Sequence, residues 1–184
     1  MAEQATSTVK DGVIHVCPLS AVPALVERAK ASHLITLLQK EILVERPRTI
    51  LPDRHLRLPV HDIAEARFDQ IAPGEQHMSE LIAFARDWGG RGPMVVHCWA
   101  GISRSTAAAF TALCVINPEL PEDKIARALR DASPTAHPNR LMVRLADAAL
   151  ARQGRMVAAV EAMGRGVPSH EAVPFSLRAD LSPP

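Results

Sequence analysis

The chain has 184 residues, of which 47% are hydrophobic and 22% charged, so one domain with a substantial core is expected. The 21 Lys and Arg almost balance the 20 Asp and Glu, which argues against binding to nucleic acid or to an anionic membrane surface. No apolar run reaches the roughly 18–20 residues of a membrane span, and the polar start lacks the apolar stretch of a secretory signal.

The cysteines indicate a reducing compartment, the cytoplasm. There are three, Cys17, Cys98 and Cys114, and their spacing fits neither a disulfide framework nor a zinc site. The eight histidines also lack metal-ligand spacing. We therefore expect no metal and no cofactor, and one of the thiols is available for catalysis.

The first third of the chain predicts three strands and one helix. Residues 1–12 are expected to form a disordered lead. Short apolar runs at 13–17 and 33–38 favour buried strands, and apolar residues recur at helical spacing over 22–29. The segment 55–60 alternates enough to be a third strand, with Pro59 near its end.

The remainder predicts one strand and several helices. A helical stripe over 78–88 ends at two glycines, and 94–98 is a fourth, strongly buried strand. An Ala-rich helix is expected over 104–116, before Asn117 and Pro118. Three further helices are predicted, over 122–132, 139–152 and 154–163. Gly, Pro and Ser accumulate after residue 164, so 165–184 is expected to be a loosely ordered tail.

This order of elements predicts an α/β fold. Strands that alternate with helices form a central, mostly parallel sheet, here of about four to five strands, with helices on both faces. The helices after residue 104 outnumber the remaining strands, so they are expected to form a helical C-terminal layer on one face. The domain is expected to span residues 13–164.

The loop between strand 94–98 and helix 104–116 carries the chemistry. Backbone N–H groups of a strand–loop–helix turn, together with the positive end of the helix, form a binding site for a tetrahedral oxyanion. Gly101 allows the backbone to approach the ligand, and Arg104 offers a planar fork of donors to two oxygens. The same field favours the thiolate of Cys98, a nucleophile aimed at the bound anion.

Two neighbours of Cys98 have expected roles. His97 is expected to orient the loop through hydrogen bonds, and one of the two serines beside Arg104, Ser105 in preference to Ser103, to stabilise the sulfur when it leaves. A cysteine at the end of an apolar strand is by itself most often a small core residue. The combination of His97 before it and Arg104 six residues after it favours the functional interpretation.

This segment resembles the signature loop of the protein tyrosine phosphatases: His-Cys, five residues, Arg, then Ser or Thr. The five intervening residues, expected to contact substrate with His97, are Trp99, Ala100, Gly101, Ile102 and Ser103. The resemblance covers residues 13–150, and the size is similar to compact dual-specificity phosphatases of bacterial type. It implies hydrolysis of phosphate monoesters (phosphotyrosine, and also phosphoserine or phosphothreonine) through a phosphocysteine intermediate, without metal and with an aspartate as general acid.

Asp62 is the first candidate for that acid. It follows strand 55–60, and a right-handed crossover through helix 78–88 would bring this strand and 94–98 to the same edge of the sheet as neighbours. The competing interpretation is that Asp62 is an N-cap or turn residue, since Asp62 and Glu65 have the spacing of a capping box, and this role is compatible with that of the acid. Asp69 and Glu65 are the fallback candidates for the acid.

Asn139 and Trp99 each allow two interpretations. Asn139 either supports the loop, as a similar segment does in the resembled family, or caps the helix that follows it, which is the simpler interpretation. Trp99 either contacts a substrate ring or packs internally.

The chain as a whole also has competing interpretations. It could instead be a non-catalytic phosphate-binding module or, less plausibly, a sulfur-transfer or arsenate enzyme that would need a second cysteine nearby. The expected partner is a phosphorylated protein or a small phosphate ester. Inositol polyphosphates are disfavoured because the loop carries no cation besides Arg104.

Overall fold

A computed structural model describes residues 11–65 and 67–181, so residues 1–10 of the predicted lead lie outside the described part. Within it the strands are β1 (Val13–Pro18), β2 (His33–Leu37), β3 (His55–Leu58), β4 (Pro93–Cys98) and β5 (Phe175–Arg178). The helices are α1 (Val22–Ala29), α2 (Glu75–Trp88), α3 (Arg104–Ile116), α4 (Glu122–Ala132), α5 (Arg140–Ala149) and α6 (Arg155–Met163). Every predicted helix and strand is thereby confirmed, with bounds shifted by a few residues at most.

The strands form one sheet in the order β3-β2-β4-β1-β5. All pairs are parallel except β1 and β5, which are antiparallel, so the predicted mostly parallel sheet is confirmed. The central strand β4 is buried from Met94 to Cys98, as expected for a strand covered on both faces. One detail of the prediction is wrong: β2 lies between β3 and β4, because the crossover through α2 passes over one strand.

Helices cover the sheet unequally. On one face, α1 lies against β1 and β4 and forms a small core with residues such as Cys17, Leu34 and Val95. On the other face, α3 packs against β1, β2 and β4, and α2, α4 and α5 pack around α3. This arrangement confirms the predicted helical layer. No helix in the described ranges is both long enough and apolar enough to span a membrane.

The central helix α3 is almost fully enclosed. All of its residues except Val115 are buried, including the run Ala107–Ala109. Small side chains allow the helix to approach the sheet closely, so packing fixes the position of its N-terminus. That N-terminus begins at Arg104, directly after the loop that carries the predicted chemistry.

The C-terminal segment departs from the expected loose tail. Residues 175–178 form β5, which pairs with β1 in the register Val13 with Arg178 and Val16 with Phe175. Leu177 is 4% exposed and joins the main core. Because this strand has only four residues, its alternation of buried and exposed side chains is too short to be distinguished from a loop in the sequence. The strand forms because the edge of β1 that β4 does not occupy offers it hydrogen-bonding partners.

Candidate active site

Neighbouring segments hold the backbone of loop 98–104 by donating hydrogen bonds to its outward-facing carbonyl groups. Four of them accept hydrogen bonds from other segments: Trp99 from the N–H of Leu19 (3.1 Å), Ala100 from Ala172 (2.8 Å), Ile102 from His137 (2.9 Å) and Ser103 from Asn139 (3.3 Å). In a planar trans peptide the C=O and the following N–H point in opposite directions. The N–H groups that follow these carbonyls therefore face the inside of the loop. The Gly101 N–H does so observably, since it donates to Cys98 Sγ at 3.3 Å.

Gly101 is the residue that this loop shape requires. Its φ is +73°, a conformation that other residues rarely adopt. A Cβ at this position would lie 2.7 Å from the backbone nitrogen of Pro18. The loop therefore packs directly on the end of β1, and only glycine leaves room for that contact.

Cys98 lies at the base of the loop, where β4 ends. The residue is 2% exposed, and its sulfur lies 3.2 Å from Ser105 Oγ, in a contact in which either atom is able to donate. Ser105 itself is completely buried in the first turn of α3. The Sγ atom thus has two hydrogen-bonding neighbours, Gly101 N and Ser105 Oγ.

Arg104 is buried with part of its donor set unused. It is 4% exposed, and its Nη1 donates to the carbonyl of Val60 at 2.8 Å. Its Nε is buried and makes no hydrogen bond to any described residue; the nearest acid, Asp62, has Oδ2 3.9 Å away. A buried donor without an acceptor is costly, so this N–H is suited to an anionic ligand bound in the cleft.

Asp62 faces the loop across the cleft. Its Oδ1 accepts hydrogen bonds from Ser103 Oγ (2.6 Å) and from Asn139 Nδ2 (2.9 Å), and its side chain is 39% exposed. The described residues 61–65 contain bends and no helix, so the interpretation of Asp62 as an N-cap is wrong, whereas its interpretation as a turn residue is confirmed. Cys98 and Asp62 line the same cleft although β2 separates their strands, because both lie at the carboxyl ends of parallel strands.

Asn139 contacts both the helix that follows it and the segment of the predicted acid. Its Oδ1 accepts from Met142 N at 3.0 Å, so it caps α5 as the simpler interpretation predicted. Its Nδ2 donates to Asp62 and, at 3.3 Å, to the carbonyl of Ile63. One side chain therefore connects the start of α5 to the segment that carries Asp62.

His97 lies behind the loop in a buried hydrogen-bonded chain. Its Nδ1 contacts the Cys98 carbonyl (3.3 Å), its Nε2 contacts Thr36 Oγ1 (2.8 Å), and Thr36 Oγ1 contacts His55 Nε2 (2.9 Å). A carbonyl only accepts, so His97 Nδ1 carries the proton, Thr36 donates to His97, and His55 donates to Thr36. Burial lowers the pKa of His97 to about 4, which keeps the ring neutral and suits a positioning role. Neither Thr36 nor His55 was predicted from the sequence.

The cleft above these groups has a volume of about 600 Å³, which is within the size range of small-molecule sites. The residues that line it are Gln39, Ile42, Asp62, Cys98, Trp99, Ala100, Ile102, Ser103, Arg104, Ser169 and His170. Most of the predicted site residues are thus brought together, while His97, Gly101 and Ser105 lie behind the surface. Gln39, Ile42, Ser169 and His170 were missed, because they lie in loops without a motif.

The remaining candidate groups lie elsewhere. Glu65 and Asp69 are exposed and are not among the described residues that line the cleft. Burial raises the pKa of the Cys114 thiol, and it raises that of Cys17 to about 12. Cys17 packs in the α1 core and Cys98 in the core on the opposite face of the sheet, an orientation unsuited to a disulfide. No group of three His, Cys, Asp or Glu in the described ranges is arranged to hold a metal ion.

Cations lie beside the loop on the side of α5. His137, whose N–H is bonded to the Ile102 carbonyl, has its pKa lowered first by burial and then by the charges of Arg165, Arg140 and Arg130. Arg130 donates to three backbone carbonyls, of Ser133, Pro134 and Gly164. These arginines therefore lie near His137, while Asp62, which lines the cleft, acts on the pKa of His137 in the opposite direction.

Comparison with solved structures identifies this architecture. No protein-family model and no curated protein matches the chain. The chain is similar to DUSP15 (21% identity, 83% of this chain and 95% of that one, TM-score 0.60) and to human DUSP28 (20% identity, 76% and 94%, TM-score 0.57). It is also similar to PTPMT1, solved with PI(5)P (15% identity, 77% and 88%, TM-score 0.55). The fold is that of the dual-specificity phosphatases in the protein tyrosine phosphatase superfamily.

Proposed function

We propose that this chain, which has the fold of the dual-specificity phosphatases, hydrolyses phosphate monoesters, phosphotyrosine first and also phosphoserine or phosphothreonine, through a phosphocysteine intermediate. One observation carries the proposal. Cys98 Sγ lies at the base of a loop whose N–H groups face inward, beside the buried Arg104 Nε that no described residue accepts from. A phosphate dianion supplies acceptors for all of these donors at once. The free thiols favour a cytoplasmic location.

The first step transfers the phosphoryl group to sulfur. The Cys98 thiolate attacks phosphorus, so an S–P bond forms while the ester P–O bond breaks. Arg104 and the loop N–H groups hold the three non-bridging oxygens, on which the transition state spreads its charge. Arg104 is pre-positioned for this, because its hydrogen bond to Val60 fixes the guanidinium before substrate arrives.

Asp62 protonates the leaving oxygen in the same step. Its Oδ1 already accepts two hydrogen bonds, so the proton of the acid form belongs on Oδ2. Oδ2 is the oxygen nearer to Arg104, with 3.9 Å to Nε, and therefore the one nearer to the phosphate that Arg104 binds. Ser103 and Asn139 thus orient the carboxyl group as well as hold it.

The second step hydrolyses the intermediate. Asp62, now a carboxylate, takes a proton from water, and the water oxygen attacks phosphorus while the S–P bond breaks. The electron pair returns to Cys98 Sγ, where the Ser105 hydroxyl, 3.2 Å away, donates to the thiolate that forms. Inorganic phosphate leaves, and Asp62 is protonated again for the next turnover.

Hydrolysis of para-nitrophenyl phosphate tests the proposal. The wild-type chain is expected to be active with EDTA present and to be inhibited by vanadate. Cys98→Ser should lose at least about 10³-fold in kcat, because the hydroxyl is a far weaker nucleophile, yet still bind inorganic phosphate. Cys114→Ser is the matched control, since it removes a thiol that is buried in α3. Full activity in Cys98→Ser refutes the nucleophile, and phosphate binding without turnover in the wild type indicates the non-catalytic module.

A further inference from the structure

The segment 164–174, which connects α6 to β5, runs along the outside of loop 98–104. Between its two ends, hydrogen bonds attach it to other parts of the chain: Val167 N to Pro134 O (2.8 Å), Ala172 N to Ala100 O (2.8 Å) and Ser20 Oγ to Glu171 Oε2 (3.3 Å). At Gly166 the fit is close, since a Cβ there would lie 2.5 Å from the carbonyl oxygen of Thr135. The segment is thus bonded directly to the backbone of the proposed phosphate-binding loop.

Both ends of the segment are also held. At its start, the Gly164 carbonyl accepts from Arg130 Nη2 at 3.0 Å. At its end, β5 pairs with β1, and the Ala179 N–H donates to the Gly12 carbonyl at 2.8 Å. A stretch attached at both ends and in the middle has little freedom to move away from the cleft. It therefore forms a wall of the site.

Two side chains of this wall, Ser169 and His170, line the cleft. The Ser169 hydroxyl donates to the Glu171 carbonyl at 2.6 Å, a local turn that fixes the backbone around His170. The imidazole of His170 is exposed and shares the cleft with Ile42 and with Trp99, which is 55% exposed. Cys98, by contrast, is 2% exposed at the base. The outer part of the cleft therefore offers flat and apolar surfaces, and the inner part offers the anion donors.

We propose that His170 is a specificity-determining residue that contacts the leaving group of the substrate, and that the wall 164–174 favours aryl phosphates such as phosphotyrosine over alkyl phosphates. This inference rests on the proposed function. With the phosphate held at Cys98 and Arg104, an aryl ring extends outward to the level of His170 and Trp99, where flat groups pack well. A serine leaving group has one carbon beyond the ester oxygen and fills less of this outer space. Imidazole also keeps an N–H donor in either protonation state.

Steady-state kinetics on two peptides of one sequence, phosphorylated on Tyr or on Ser, test the inference. His170→Ala should lower kcat/KM for the phosphotyrosine peptide about 3- to 10-fold, the usual range for one aromatic contact, and change that for the phosphoserine peptide less than about 2-fold. His170→Phe, which keeps a flat ring, should recover most of the loss. The inhibition constant of inorganic phosphate should stay constant in all variants.

The control is Val173→Ala, on the same segment and 82% exposed, which should behave as the wild type. Equal losses on both peptides and on inorganic phosphate overturn the inference, because they show that His170 acts only by supporting the loop. No loss on either peptide overturns it too. Binding of the phosphotyrosine peptide to Cys98→Ser, with and without His170→Ala, tests the contact independently of turnover. An inactive wild type with an affinity that depends on His170 would refute the proposed function and support the contact.

Discussion

Asn139 Nδ2 donates a 2.9 Å hydrogen bond to Asp62 Oδ1 while Asn139 Oδ1 caps α5 through Met142 N. The two residues are 77 positions apart in the chain. This contact makes the geometry of the proposed acid depend on the start of a helix in the C-terminal layer. Stability and acid catalysis are therefore coupled through one side chain, and suitable substitutions separate them.

Asn139→Ser is expected to keep the helix cap and lose the donor to Asp62, because the serine hydroxyl caps well but is too short to reach both partners. Its free energy of unfolding should stay within about 0.5 kcal/mol of the wild type, while kcat falls for substrates that need a proton donor. Asn139→Ala should lose that activity and, in addition, about 1 kcal/mol of stability. Urea unfolding and phenyl phosphate kinetics measure the two effects; unchanged kinetics in both variants would show that Asn139 is only a cap.

Asp62→Asn should slow hydrolysis according to the leaving group. Phenyl phosphate has a basic leaving oxygen, so its kcat should fall about 10²-fold or more without the acid. Para-nitrophenolate leaves without a proton, so the loss in the first step with that ester should be much smaller. Asp69→Asn is the control, because Asp69 is exposed on the same loop. Equal losses of kcat/KM, which reports the first step only, for the two esters would remove Asp62 from the role of general acid.

Gly101→Ala is expected to disrupt the loop. The added Cβ would lie 2.7 Å from Pro18 N, and the φ of +73° is unfavourable for alanine, so loop or strand must shift. Stability should fall by about 1 kcal/mol or more, and affinity for inorganic phosphate should fall with it. Gly74→Ala is the matched control, since its Cβ would be no closer than 3.6 Å to the nearest atom. Phosphate titration followed by thermal shift measures both effects, and normal phosphate affinity in Gly101→Ala would contradict the inward-facing N–H groups.

The buried His97 predicts a loss of stability on acidification. Its pKa falls from 6.5 to about 4 because burial penalises the charged ring. Between these values the unfolded chain binds a proton that the folded chain does not, so the free energy of unfolding decreases as pH falls through this window. A shift of this size corresponds to about 3 kcal/mol for the one group. Urea unfolding at pH 7.5 and pH 4.5 measures the decrease.

His97→Asn gives the comparison for that measurement. The variant is less stable at neutral pH, since it disturbs the bond to Thr36, but its stability should decline less steeply between pH 7.5 and pH 4.5. His55, whose pKa is also lowered to about 4, mainly by burial, accounts for part of the remaining slope. Identical slopes in wild type and variant would show that the folded state does not hold His97 neutral.

Local sequence patterns determined much of the fold and the centre of the site. Buried strands and helices were predicted because hydrophobic periodicity, and the Gly and Pro residues at which strands and helices end, are patterns of only a few consecutive residues. Cys98, Gly101 and Arg104 were predicted as a unit because a strand–loop–helix turn is itself local: its N–H groups, its glycine and its arginine are all within seven consecutive residues. Asp62 was predicted from the rule that parallel strands end at one edge of the sheet.

Only the tertiary structure decided which distant residues complete the site. Chain packing places β2 between the strands of Asp62 and Cys98. It also brings Asn139, which caps α5, into contact with Asp62. In the same way it connects His97 through Thr36 to His55. The C-terminal wall is the clearest case, because its sequence shows no motif and no hydrophobic periodicity. Its order comes from the unpaired edge of β1 and the outward carbonyl of Ala100, two partners more than 70 residues away that no local pattern encodes.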